Sequence, residues 1–440
     1  MAKSKLISGF SKQTKNDKIE LIAQNFTNPV ETIKEYKSFW HNDAEIQKLL
    51  DEFSENTISN FYFPYGIAPN FVINGKNYIL PMVIEESSVV AAAANSAKFW
   101  STRGGFHAKV VSSVKIGQVH FTWKGNLEKL QLHFEEMKQR MIKNAKPITA
   151  KMEARGGGIV DIELVDMTHE IDDYYQLKAS FETVDSMGAN FINSCLEDFA
   201  MTLRSFLYNM PYFEGSDKDC TVIMSILSNY TPDCLVQAWV ECDLEDLGPF
   251  DDGQSVDDFV MKFEQAIKIA KVDTFRATTH NKGIFNGIDA VVLATGNDFR
   301  AVEAAGHTFA SRDGKYRSLT DVTIENGRFK YMLTTPMAIG TVGGLTSLHP
   351  LAKLSLELLG RPGGKELMMI AATSGLANNF GAVTTLVTKG IQKGHMKMHL
   401  LNILNSYNAT DTEKQQTVDY FKDKKVSFNA VREYLDQLRK

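Results

Sequence analysis

A lysine and an aspartate bracket a short apolar run well inside this 440-residue chain. Lys282 stands in Thr279-His280-Asn281-Lys282-Gly283, Asp298 in Gly296-Asn297-Asp298, and Ile288-Asp289-Ala290-Val291-Val292-Leu293-Ala294-Thr295 lies between them. An ammonium group beside a growing oxyanion, with a carboxylate to orient it, is a device for polarising a carbonyl. The run is short, rich in β-branched residues and nearly free of charge, which predicts a buried strand with chemistry at its ends. Gly296 and Asn297 would end the strand and Asp298 would cap a helix opening at Phe299. Lys282 would lie in the loop ahead of it.

Other residues of reactive type cluster near glycines or helix starts. Glu85-Glu86-Ser87-Ser88 precede an apolar stretch, Val89 to Ala94, that predicts a helix with a buried body and an anion-favouring start. Glu86 is then expected in a dry setting, where desolvation raises a carboxyl pKa and suits a proton donor. Both glutamates read equally as ordinary helix-start residues. Arg155-Gly156-Gly157-Gly158 opens a strand that contains Asp161, and Asp185-Ser186-Met187-Gly188-Ala189-Asn190 joins a strand to a helix N-terminus. Free N–H groups at the second could hold a pyrophosphate. Neither is Gly-x-Gly-x-x-Gly, so plain strand-to-helix turns are the other reading. Arg276 lies just ahead of Lys282; its planar fork suits a bound carboxylate or a surface salt bridge. His395 and His399 have the i, i+4 spacing of a metal pair, but no third ligand is evident. The glycines ahead of His395 suggest a segment that can move.

Composition narrows the classes. A formal charge of -5 and a pI near 6.1 argue against a protein that works by neutralising nucleic-acid phosphates. No apolar run is long enough for a membrane span and the opening residues carry no secretory h-region, so a cytoplasmic protein is expected. Cys195, Cys220, Cys234 and Cys242 lack Cys-x-x-Cys spacing, which fits reduced buried thiols better than disulfides or zinc; a catalytic cysteine is the functional alternative.

The elements that must position these residues can be sketched. Residues up to about 53 are helix-prone, Asn74-Gly75 marks a hairpin between Phe71-Val72-Ile73 and Tyr78-Ile79-Leu80, and a charged, helix-prone tail follows residue 405. Strand-like Val114 to Trp123, a helix from Leu127 to Asn144, strands near Ile159 to Leu164 and Leu177 to Val184, a helix from Met187 to about Tyr208 and a strand from Thr221 to Leu227 run in the order β-α-β-β-α-β. That is the order of a ferredoxin-like split βαβ unit. Strand-like Leu235 to Val240 and a helix from Val256 to Ala270 follow.

Several of these motifs, in this order, resemble those of the 3-hydroxy-3-methylglutaryl-coenzyme A reductases, the soluble bacterial and archaeal class in particular. They are Glu55-Asn56-Thr57-Ile58-Ser59, Glu86-Ser87-Ser88-Val89-Val90-Ala91, Asp185-Ser186-Met187-Gly188-Ala189-Asn190, His280-Asn281-Lys282-Gly283, Ala294-Thr295-Gly296-Asn297-Asp298 and Gly394-His395-Met396. The likeness runs from about Ser54 to about Leu401. It implies an α+β fold: a large mixed substrate domain (1–109 and 229–378), an inserted ferredoxin-like NAD(P)-binding domain (110–228) and a C-terminal helical flap (379–440). The implied reaction is the reversible four-electron reduction of hydroxymethylglutaryl-CoA to mevalonate and CoA in isoprenoid metabolism.

In that family's terms Glu86, Lys282, Asp298 and His395 are catalytic: Lys282 stabilises the alkoxide, Glu86 donates a proton, Asp298 bonds to both, and His395 protonates the departing thiolate. Asp185, Met187, Gly188 and Asn190 bind the dinucleotide, and Ser88, Arg276, Asn286 and Asn378 contact the substrate. Asp161 matches the acid that binds the adenosine ribose 2′-OH, which predicts NADH over NADPH. No metal is used, and a homodimer with its active sites at the subunit interface is implied. Ser59 stands where the family has glycine and Asn378 where it has glutamine. The competing readings are a non-catalytic CoA-ester-binding homologue and another CoA-ester enzyme, a thioesterase or lyase.

Overall fold

The computed structural model describes residues 6–250, 253–388, 400–401, 403–421, 424 and 426–439. The chain divides into two compact units, residues 1–64 and 65–440, at a point where the sequence suggested no boundary.

The first unit contains α1 (Lys15–Ala23), α2 (Pro29–Ser38) and α3 (Ala44–Asp51), opened by capping side chains from Thr14, Asn28 and Asp43. An ion pair of 2.7 Å from Lys15 to Asp51 ties the first helix to the end of the third. In the loop beyond, the Ser59 hydroxyl donates to the Tyr36 carbonyl at 2.6 Å. Ser59 is absent from the left-handed backbone positions, which include Asn56 at φ 58, so serine in place of glycine costs no strain.

The second unit begins with the expected hairpin, β1 (Tyr65–Ile73) against β2 (Lys76–Val83). Asn74 and Gly75 at φ 50 and 79 have the paired positive φ of a type I′ turn. Next comes α4 (Ser87–Ser101), packed on β1 through Val89, Ala93, Ala97 and Trp100. Its other side is open at Ala91, Asn95 and Lys98, so the helix is buried on one face rather than all round. Alanine is small enough to leave such a stripe exposed at little cost.

After β3 (His107–Val110) the chain makes β4 (Lys115–Trp123), α5 (Leu127–Leu132), α6 (Phe134–Asn144), α7 (Lys146–Glu153), β5 (Gly158–Asp166), β6 (Tyr174–Glu182), α8 (Ala189–Asn209) and β7 (Cys220–Leu227). The strands form one sheet in the order β5-β6-β4-β7 with every neighbouring pair antiparallel. Phe121, Leu177, Phe181, Leu196 and Phe199 help fill a core of its own. The single helix expected over 127–144 is broken at His133, the end residue of both α5 and α6.

The chain then returns through β8 (Leu235–Asp243), which pairs with β3, and continues as α9 (Leu244–Leu247), α10 (Val256–Val272), α11 (Thr274–Ala294) and α12 (Phe299–Ala310). Strands β9 (Thr320–Glu325) and β10 (Arg328–Pro336) complete the sheet β3-β8-β10-β9, and α13 (Leu345–Leu348), α14 (Pro350–Leu358) and α15 (Gly364–Val387) follow. Two terminal helices, Asp411–Tyr420 and Phe428–Leu438, close a small cluster around Leu404, Phe421 and Val431. No helix among the described residues is long and apolar enough to cross a membrane.

Two expectations are overturned here. The run Ile288 to Thr295 is no strand: Ile288 to Ala294 form the last two turns of the 21-residue helix α11, opened by Asp273 and containing Lys282. Burial on most sides removes the polar stripe that betrays a helix, and β-branched content alone then mimics a strand. The boundary at 378/379 falls inside α15, a 24-residue helix that runs through it without interruption.

Candidate active site

Helix α15 is the mast against which the reactive segments are held, and glycines set how closely they approach. A Cβ at Gly287 of α11 would lie 2.3 Å from the Ser374 carbonyl oxygen and 2.7 Å from Asn378 Nδ2. One at Gly375 would lie 2.6 Å from Ile288, and one at Gly381 would lie 2.9 Å from Ser96 Oγ of α4. These glycines are therefore contact points between helices, worth their helical cost of about 1 kcal/mol each.

Lys282 is exposed and Asn286, one turn later on the same face, is half-buried. Among the described residues Lys282 has neither a hydrogen-bond nor an ion-pair partner. The turn preceding it is held by groups the sequence did not single out. Asn379 donates to the His280 carbonyl at 2.9 Å and accepts from Tyr331 Oη, while His280 Nε2 meets Thr320 Oγ1 at 2.7 Å. His280 is 1 % exposed. Burial, then the charges of Arg276 and Lys271, push its pKa down to about 3, so the ring is neutral. No spacing rule points to this network, which joins distant helices and strands.

Asp298 caps α12 as expected, accepting from the N–H groups of Arg300 and Ala301 at 3.0 and 3.3 Å. Its carboxylate also takes the Arg300 guanidinium at 3.0 and 3.1 Å. Burial opposes the charged form, yet Arg300 and the two N–H groups prevail and hold the carboxyl below its usual range. The expected bonds to Lys282 and Glu86 are not made within this chain. The cap sets the carboxylate beside the first turn of α12, where the Arg300 guanidinium takes it.

Glu86 occupies the N-cap position of α4 without its side chain capping the helix; it accepts from Ser88 Oγ at 3.0 Å. It is exposed, which corrects the dry setting expected for it. The residue stands at the last non-helical position, ahead of the apolar body that was to cover it.

The Asp185 turn is joined to the Asp298 turn by an unbroken set of contacts. Thr341 N–H donates to the Asp185 carbonyl at 2.8 Å, and Gly340 N–H donates to Asn297 Oδ1 at 2.8 Å. A Cβ at Gly340 would lie 2.5 Å from the Met187 nitrogen. Asn297, read from the sequence only as a strand breaker, was missed as a site-builder. The Asp185 carboxylate accepts from Gly364 N–H at 2.7 Å, at the start of α15. Gly188 has φ 88, and a Cβ there would lie 2.4 Å from Thr183 Cγ2, so only glycine fits. No side chain caps α8, whose first-turn N–H groups remain available beside half-buried Met187 and exposed Asn190.

Asp161 on β5 pairs with Lys138, which holds its carboxyl below the usual range. Arg276, in the first turn of α11, is half-buried, and burial lowers its pKa. Among the described residues no carboxylate stands within ion-pair distance of it, so the salt-bridge reading is not what the chain shows. Asn378 is 4 % exposed and donates to the Ser374 carbonyl at 3.3 Å. His395, with Gly394, Met396 and His399, lies outside the described residues.

Sequence reasoning also missed a cavity of about 960 Å³ between α4 and the end of α15, lined by Asn95, Lys98, Arg103, Phe380 and Thr384 among others. The four thiols are free, and burial pushes Cys195 and Cys220 up to about 12 and Cys234 and Cys242 up to about 11, which leaves them unreactive. Among the described residues no group of three or more His, Cys, Asp or Glu side chains is arranged to hold a metal ion.

Comparison with known proteins places this geometry. Residues 15–400 match the family model described as hydroxymethylglutaryl-coenzyme A reductase. The chain is 35 % identical over 440 residues to 3-hydroxy-3-methylglutaryl-coenzyme A reductase of Archaeoglobus fulgidus, covering 100 % of this chain and 96 % of that one. It is 33 % identical over 387 residues to a probable reductase of Borreliella burgdorferi, covering 87 % and 85 %. Among solved structures it is similar to the class II reductase of Streptococcus pneumoniae bound to NADPH in open conformations, with TM-score 0.70, 35 % identity and coverage of 87 % and 99 %. A second structure of the Streptococcus pneumoniae reductase matches with TM-score 0.71 and 34 % identity over 98 % of this chain and 99 % of that one. A family match over residues 15–400 and a full-length relative at 35 % identity make the chain a member of the hydroxymethylglutaryl-coenzyme A reductase family of oxidoreductases.

Proposed function

We propose that this chain catalyses the four-electron reduction of 3-hydroxy-3-methylglutaryl-CoA to mevalonate and CoA, reversibly, with Glu86, Lys282, Asp298 and His395 as its catalytic groups. The observation that carries this reading is the continuous linkage from the Asp185 turn through Thr341 and Gly340 to Asn297 and Asp298. It ties a phosphate-seeking helix start to the segment that follows the lysine helix, the arrangement needed to present a dinucleotide to a thioester.

Two reduced nicotinamide cofactors, bound in turn, would each supply one hydride. Lys282, without a side-chain partner among the described residues, neutralises the alkoxide that forms on the thioester carbonyl, and Glu86 delivers the proton that completes the alcohol. Collapse of the hemithioacetal releases a thiolate; a free thiol's pKa near 8.5 means that protonation by His395 prevents its return. Arg276, half-buried and without an ion-paired carboxylate among the described residues, is suited to clamp the free carboxylate of the acyl group, with Ser88, Asn286 and Asn378 as further contacts. The cavity between α4 and α15 has room for the CoA arm, with Lys98 at its rim.

Residues 110–228 form the cofactor domain in this reading, supported by their separate core and their strand order. Met187, Gly188 and Asn190 line the pyrophosphate turn, and Asp185 anchors that turn to α15. Asp161 would take the ribose 2′-OH and favour NADH. Exposure of Glu86 and Lys282 in the single chain supports a homodimer in which a second subunit completes the site and Asp298 exchanges Arg300 for Lys282.

The test is an absorbance assay with hydroxymethylglutaryl-CoA and NADH. Two NADH oxidised per CoA released is the expected stoichiometry. CoA release without NADH oxidation would instead indicate a thioesterase, and binding without turnover a non-catalytic homologue.

A further inference from the structure

Lys115, the first residue of β4, is 4 % exposed. Its Nζ donates to Thr183 Oγ1 at 2.5 Å and to the Ser186 carbonyl at 3.2 Å, and Thr183 Oγ1 itself donates to that carbonyl at 2.6 Å. Among the described residues no carboxylate lies within ion-pair distance of this ammonium; Glu182, Cys234 and Lys365 act on it only from farther away. Burial of a cation on neutral acceptors is costly, and an apolar residue would hold the strand without that cost. What the ammonium adds is a grip on the turn and a positive field beneath it.

The turn is gripped from both sides. Thr341 N–H takes the Asp185 carbonyl, Lys115 takes the next one, and Gly188 N–H is satisfied by Ser186 Oγ at 3.0 Å. With these groups turned inward, the uncapped first turn of α8 is left facing out. We infer that Lys115 is a positioning residue of the dinucleotide site, locking the Thr183–Gly188 turn from beneath so that the start of α8 meets the cofactor's phosphates. This rests on the assignment of that turn to the dinucleotide made above.

The experiment titrates NADH and NADPH into wild type, Lys115→Met and Thr183→Val, and measures steady-state kinetics for each substrate. Lys115→Met is expected to weaken binding of the preferred dinucleotide and raise its KM at least fivefold. The KM for the CoA ester and kcat at saturating dinucleotide should stay within twofold. Thr183→Val removes the hydroxyl shared by Lys115 and Ser186 while keeping the side chain's shape, and should raise the same KM severalfold. It carries the test should Lys115→Met fail to fold. Unchanged dinucleotide affinity in the folded variants, or equal losses for both substrates, would overturn the inference. Absence of dinucleotide binding by the wild type would instead overturn the functional assignment itself.

Discussion

Gly287 of α11 stands against Asn378 of α15 so closely that a Cβ would lie 2.7 Å from the asparagine's Nδ2. The Ser374 carbonyl, 2.3 Å from the same position, is backbone and cannot swing away. Gly287→Ala should therefore separate the two helices. We expect destabilisation of about 1–3 kcal/mol in urea unfolding, with reduced turnover because Lys282 and Asn286 ride on the displaced helix. A stability equal to wild type would show that the helices part at no cost.

Lys282 has no side-chain partner among the described residues, so its removal separates chemistry from folding. Lys282→Ala should keep the wild-type circular dichroism spectrum and unfolding midpoint within about 0.5 kcal/mol, as for a surface change, while turnover falls below detection. Retained turnover would remove the lysine from the mechanism.

Asp161 sets the expected choice of dinucleotide, and Lys138 moderates it. A 2′-phosphate meets a carboxylate there, so kcat/KM should favour NADH by roughly tenfold or more, an energy of about 1.4 kcal/mol. Lys138→Met removes the neighbouring ammonium and should widen the preference. A wild-type enzyme faster with NADPH would contradict the role given to Asp161.

His280 makes the native state sensitive to mild acid. Its native pKa, depressed to about 3, lies below the unfolded value, so the stability it contributes is complete above about pH 6.5 and declines as pH falls toward 3. The slope from this one ring is up to about 1.4 kcal/mol per pH unit. Urea midpoints at pH 7 and 5 should differ for wild type and converge in His280→Asn. Parallel profiles would exclude the ring as the source.

Asp289 behaves in the opposite sense. Burial, and then the nearby Glu303, raise its carboxyl to about 8. A native pKa above the unfolded one gives stability that is present below about pH 4 and lost as pH rises through 8. Asp289→Asn should be more stable than wild type at pH 8 and equal to it near pH 4 in urea unfolding. A variant less stable at both pH values would mean that the carboxylate has a partner worth more than its desolvation.

Local preferences made much of this molecule legible from its residues alone. Asn74-Gly75 demands a tight hairpin, Asp298 is a cap wherever a helix follows, and the strands of residues 115–227 are marked by their β-branched and aromatic runs between turn residues. The reactive residues were likewise visible as types set beside glycines. Only the folded chain decided that Ile288 to Ala294 are helical, since burial on most sides leaves no periodicity to read. Only it turned Asp298 toward Arg300, left Glu86 in solvent, brought Gly340 to Asn297 and placed Lys115 against the Thr183–Gly188 turn. These are contacts between residues far apart in the chain, settled by which surfaces can approach closely enough to exclude water, and no local preference encodes them.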